Sequence, residues 1–112
     1  MPCLDISTNV CLDGVDTEAF FSEATKVVSS IFGKPESFVM ILLKGSVAIS
    51  FGGNKEPAAF AEIVSMGGIN SEVKKKLIVE IGTILQKKLL IERSRFVLKV
   101  HDTTAGRKNS KM

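Results

Sequence analysis

The order strand, helix, strand occurs twice in this chain, and that repetition limits its possible folds more than any single motif does. In the first half, Cys3 to Val10 reads as a strand, with Leu4 and Ile6 alternating with Asp5 and Ser7. Asp13-Gly14 is a turn signal. Asp16 or Thr17 can cap a helix whose stripe is Phe20, Ala24, Val27, Val28 and Ile31, with Glu18 and Glu23 placed early. Gly33 and Pro35 end it. Phe38 to Leu43 is an unbroken apolar run of strand length, so both of its faces should be buried. Val47, Ile49 and Phe51 alternate with small polar or neutral residues and predict a further short strand, closed by the turn Gly52-Gly53-Asn54.

The second half repeats the order. Ala58 to Ala61 fits more than one conformation, and Ile63 to Met66 reads as strand, ended by Gly67-Gly68. Asn70 or Ser71 caps a helix with the stripe Val73, Leu77, Ile81, Ile84, Leu85 and Leu89. Glu72 near its start and Lys87 and Lys88 near its end suit the helix dipole. Arg95 to Asp102 is the last strand, with Phe96, Leu98 and Val100 on one face and Val97, Lys99 and His101 on the other. Ser7 corresponds to Ser65, Thr17-Glu18 to Ser71-Glu72, and Phe38-Val39 to Phe96-Val97.

These correspondences predict a duplicated βαβ unit in the α/β class. Right-handed crossovers give a four-stranded mixed sheet with two helices on one face. Residues 1–102 form the domain, and 103–112 are a polar tail. Two helices cover only one sheet face, so the second face, with its share of the Phe38–Leu43 run, needs cover from other subunits. The mean hydropathy of +0.23 is high for a small soluble domain and agrees with such a hidden face.

Several classes drop out. No apolar run reaches the ~18 residues of a membrane span, and no basic-then-apolar secretory leader is present. A net charge of +3 without Tyr, Trp or a clustered basic face argues against nucleic acid. Cys3 and Cys11 match neither a C-x-x-C nor a zinc spacing and read as reduced thiols; a disulfide between them would need an intervening turn.

Met1-Pro2 leads directly into the first strand. Proline is at home there simply because its missing N–H harms nothing at a strand start. If Met1 is removed, however, Pro2 presents a secondary amine. Its pKa, near ~8 unperturbed, falls when the charged form is placed among apolar groups, leaving a neutral base.

Met1-Pro2, Thr8-Asn9-Val10, Gly33-Lys34-Pro35, Phe51-Gly52-Gly53, Glu56-Pro57 and Ser65-Met66-Gly67 fall in the order and spacing of the macrophage migration inhibitory factor and D-dopachrome tautomerase family. The resemblance covers Met1 to Asp102 and is most like the plant branch. It implies a homotrimer with the sheets inside and the helices outside. It also implies a pocket at each subunit boundary where the proline nitrogen interconverts keto and enol forms of phenylpyruvate- or dopachrome-type substrates. No metal or organic cofactor is implied.

By the same resemblance, Lys34 contacts the substrate carboxylate; by itself it is also a plain helix-end cation. Met66 stands for an isoleucine whose backbone faces the substrate, or is a core filler. Lys99 replaces an asparagine reaching in from a neighbouring subunit, where a cation can still hold a carboxylate, or is a solvated strand lysine. Val97 replaces a pocket tyrosine, which removes an aromatic wall and a hydroxyl. The family's Gly-Trp-Asn segment near the C-terminus has no counterpart after Asp102, which weakens the expectation of activity on aromatic substrates and leaves a trimer edge unexplained. Ala58 and Ala61 stand in place of the C-x-x-C that some members carry, so thiol oxidoreductase chemistry there is excluded. His101 reads as a surface strand residue. A rival expectation is a non-catalytic, cytokine-like module that binds a protein receptor on the same scaffold. Ser110-Lys111-Met112 resembles the Ser-Lys-Leu peroxisomal address, with the cytosol as the alternative location.

Overall fold

A computed structural model describes residues 1–103. Its elements in chain order are β1 (Cys3–Thr8), α1 (Thr17–Phe32), β2 (Met40–Lys44), β3 (Ala59–Ser65), α2 (Ser71–Leu89) and β4 (Phe96–Asp102). Short 3-10 turns at Glu36–Phe38 and Arg93–Arg95 lead into β2 and β4. The sheet order is β2-β1-β3-β4. β1 pairs parallel with β2, β3 pairs parallel with β4, and the two halves join where β1 and β3 run antiparallel. The duplicated βαβ architecture is therefore present as expected.

Both helices start and stop where local chemistry dictates. Asp16 caps α1 by accepting from the Ala19 amide at 3.0 Å, and Asn70 caps α2 by accepting from the Val73 amide at 2.8 Å. Gly33 closes α1 in the left-handed region at φ 64°. α2 closes on a leucine instead: Leu90 sits at φ 58°, its amide bonds back to Gln86, and the next residue, Ile91, returns to the core.

The core lies between the helices and one sheet face. Leu4 and Ile6 of β1, Ala61 and Ile63 of β3, Phe20 and Val28 of α1, and Leu77, Ile81 and Leu85 of α2 are all buried there. Each large side chain so removed from water contributes roughly 1.5–3 kcal/mol. Residues at alternate positions point to the open face. There Asp5, Lys44, Glu62, Lys99 and His101 are interleaved with exposed Met40, Leu42, Phe60 and Val97.

Three expectations need correction. The apolar run does not start as a strand: Phe38 belongs to a 3-10 turn, and only Ile41 and Leu43 of β2 face the core, while Met40 and Leu42 stand on the open face. The alternation from Val47 to Phe51 makes no strand. Ser46 and Val47 bond to the Val10 and Thr8 carbonyls, and among the described residues the ladder stops there. Its side-chain period is strand-like, but beyond Val47 the described backbone pairing is a single tight bridge between Phe51 and Asn54. Finally, β1 ends at Thr8, because Asn9 turns its side chain to another task, and β3 begins earlier than read, at Ala59. Cys3 and Cys11 are both free thiols.

Candidate active site at the Pro2 end of the sheet

β1 and β2 begin, and β3 and β4 end, at one edge of the molecule. Pro2 lies there as a strand-start residue whose carbonyl accepts the Met40 amide at 3.0 Å. A cleft around it is lined by Met1, Pro2, Cys3, Ser37, Phe38, Val39 and Met40. Pro2 is itself fully buried, beneath a Met1 that is 76% exposed. While Met1 is attached, the Pro2 nitrogen is an amide and has no basicity. Freed, it would be an amine in largely apolar surroundings, which disfavour its ammonium form.

Phe38 and Met40 beside it are 50% and 58% exposed, a costly arrangement for large apolar side chains unless something else covers them. Neither was singled out by sequence reasoning as a site residue. Phe38 was masked by its place at the head of a run that reads as core. The signal available was Pro35, three residues earlier, which fits a turn rather than the start of a strand.

Lys34 lies on the same α1-to-β2 connection that supplies Ser37 and Phe38, exposed, with its backbone tied to Ser29. It does not line the cleft within one protomer. Met66 follows the last residue of β3 and is 53% exposed. The β1–β3 ladder has Cys3 facing Val64, so Met66 leaves the sheet at the end where Pro2 precedes β1, without lining the cleft.

Val97 and Lys99 are elsewhere. Both stand on the open face of β4, which β3 separates from β1. Lys99 Nζ lies 4.0 Å from Glu62. The structure of one chain thus gathers Pro2 and Met66 at one edge, with Lys34 on the adjoining loop, and leaves Val97 and Lys99 outside.

The Cys3 thiol is pushed up from its ordinary pKa, first by burial and then by the carboxylates of Asp5 and Glu62. It is held as a thiol and is a poor nucleophile. Asp5 itself faces Lys44, whose Nζ is 3.1 Å from Oδ1 outside hydrogen-bonding geometry and donates to Oδ2 at 3.4 Å. Among the described residues, no group of three His, Cys, Asp or Glu side chains is arranged to hold a metal.

Residues 1–110 match the family described as macrophage migration inhibitory factor (MIF). The chain belongs to this family. Among curated relatives, it is similar to the macrophage migration inhibitory factor homolog of Brugia malayi, 31% identical over 95% of this chain and 91% of that protein. The macrophage migration inhibitory factor of Xenopus laevis is also 31% identical over the same shares. Among solved structures, the macrophage migration inhibitory factor of Trichinella spiralis superposes with a TM-score of 0.83 at 28% identity, covering 89% of this chain and 88% of that one. These likenesses span both βαβ halves. The family's fold, a mixed four-stranded sheet under two helices, is the fold found here.

Proposed function

We propose that this protein is a keto–enol tautomerase for small 2-oxo acids of the phenylpyruvate type, with the Pro2 nitrogen as general base once Met1 has been removed. The observation that carries the reading is the position of Pro2: a proline buried at a strand start, on the floor of a cleft whose Phe38 and Met40 walls are half exposed. In the reaction the neutral amine takes a proton from the carbon beside the substrate carbonyl. The C–H pair moves into the new C=C bond and the carbonyl pair onto oxygen. The proton held as ammonium then returns to that oxygen, giving the enol; the reverse path gives the ketone. The Lys34 ammonium holds the carboxylate.

The working unit is a homotrimer. Met40, Leu42, Phe60 and Val97 leave an apolar face that a lone chain exposes. Packing copies through it would bring Val97 and Lys99 of one subunit toward the Pro2 cleft of another. Val97 offers no aromatic wall, so turnover of aryl substrates should be slower than in members with a tyrosine there.

The test is phenylpyruvate tautomerisation by protein whose intact mass shows loss of Met1. Pro2→Gly should lose most of the rate; equal rates would remove the proline from the mechanism. A single-subunit species in sedimentation would remove the boundary pocket.

The second reading is a cytokine-like binding module using a protein receptor. It is favoured by Val97 at the pocket position, and it predicts receptor binding that phenylpyruvate does not compete away. We also propose peroxisomal delivery through Ser110-Lys111-Met112, which lies outside the described residues. A fluorescent fusion that leaves this tripeptide free should be punctate, and diffuse when Lys111 is replaced by Glu.

A further inference from the structure

We propose that Asp102 is a positioning residue for the Pro2 cleft, acting through the turn that carries Met66. The inference rests on the reading of Pro2 as the base. The β3–β4 ladder ends with Ser65 opposite Asp102. Past that pair the β3 chain turns away through Gly67 and Gly68, both in the left-handed region at φ 77° and 74°. A turn there would ordinarily leave the partly buried Gly67 amide without a ladder acceptor. The Asp102 carboxylate fills that place: its Oδ1 accepts from the Gly67 amide at 3.0 Å.

Two further bonds fix the same turn. The Ser65 hydroxyl donates to the Gly67 carbonyl at 3.0 Å, and the Thr103 hydroxyl donates to the Ser65 carbonyl at 3.3 Å. Met66 is therefore bracketed by anchored neighbours on both sides while more than half of its own surface faces out. β3 ends where β1 begins, so the anchored turn holds Met66 at the Pro2 end of the sheet. A carboxylate acceptor makes a stronger bond to an amide than a neutral one does. The acceptor also comes from β4, so the orientation of Met66 is tied to the strand that ends the sheet.

The consequence is a binding effect without a change of base. In Met1-free protein, Asp102→Ala should raise the KM for phenylpyruvate several-fold, because the turn no longer holds Met66 in place. The kcat should stay within about twofold, and the acid limb of the pH–rate profile, set by Pro2, should not move. Asp102→Asn keeps an acceptor oxygen and should restore KM to near wild type. An unchanged KM in Asp102→Ala overturns the proposal. So does a fall in kcat at constant KM, or Asp102→Asn behaving like Asp102→Ala.

Binding is read separately by titrating phenylpyruvate against the 13C-methyl resonance of Met66. If the wild type binds but does not turn over, the base assignment fails. Weaker titration of Asp102→Ala would still support the positioning role, and equal titration would overturn it. A wild-type Met66 methyl that does not respond to phenylpyruvate also overturns it. Should Asp102→Ala not fold, Asp102→Ser, polar but too short to reach the Gly67 amide, carries the same two expectations.

Discussion

At one edge of the sheet β1 begins at Cys3, after Pro2; at the other, β3 begins at Ala59, after Ala58. The internal duplication makes these two strand starts counterparts, and both preceding residues are buried. They differ in how their polar groups are met. The Ala58 amide donates to Asn9 Oδ1 at 2.9 Å, and its carbonyl accepts from the buried Thr8 hydroxyl at 2.7 Å. Asn9 Nδ2 donates to the Lys55 and Glu56 carbonyls at 3.2 and 3.0 Å. Arg95 completes the structure, bonding to the carbonyls of Phe51, Glu56 and Pro57 with its guanidinium 5.1 Å from the centre of the Phe51 ring. At the Pro2 edge there is no amide to satisfy, because proline has none, and the neighbouring apolar side chains stand open. One edge is closed by hydrogen bonds from Thr8, Asn9 and Arg95; the other is left reachable, its strand start carrying no donor.

The contrast can be broken by mutation. Arg95→Ala deletes three bonds to backbone carbonyls at the closed edge and should cost about 2–3 kcal/mol. A denaturant midpoint within error of wild type would show that this edge closes without its clamp. Phe38→Ala at the open edge should cost about 1 kcal/mol, because only half of its surface leaves water in the folded chain. A loss comparable with Arg95→Ala would show that Phe38 packs as core, and the edges would no longer differ.

The smallest effect belongs to a pair remote from both edges. Glu23 of α1 meets Lys87 at 2.7 Å and Lys88 at 3.7 Å on α2. The hydrogen bond from Lys87 is the main cause that holds the Glu23 carboxyl below its ordinary pKa. A depressed folded-state pKa gives stability that is present above the unfolded value, near ~4.3, and is lost as pH falls through the folded one. Glu23→Gln should therefore destabilise by no more than about 1 kcal/mol at pH 7 for so exposed a pair. Wild type and variant should converge in thermal melts as pH falls through the depressed folded-state pKa. A gap that persists in acid would mean that the carboxylate is not its source.

How far the sequence disclosed this contrast follows from the range of the forces involved. Helix stripes, caps and the alternation of β4 are local, and Phe20, Asp16, Asn70 and Leu98 did in the fold what their spacing predicts. The parallel pairing within each half was legible because the duplication writes it twice. Arg95 was not: its acceptors lie about forty residues away, and nothing near it distinguishes a clamp from a surface cation. The Thr8-Asn9 pair carried the family resemblance, and in the fold its side chains serve the scaffold. Val47 to Phe51 misled because periodicity reports where side chains point, while a strand also needs a neighbour's backbone. Pro2, Lys34 and Met66 were named as candidates through the resemblance, and of these the cleft is lined by Pro2. Phe38, which lines the cleft, was missed because an apolar wall is composed like a core.

Leu90 carries a consequence of its own. A side chain in the left-handed region costs on the order of 1 kcal/mol relative to glycine, and this one is exposed at the end of α2, where it contacts solvent more than protein. The fold thus keeps a small reserve of stability at the corner that closes α2. A lineage could release it with one codon change while leaving both sheet edges untouched, gaining tolerance for riskier changes around the cleft.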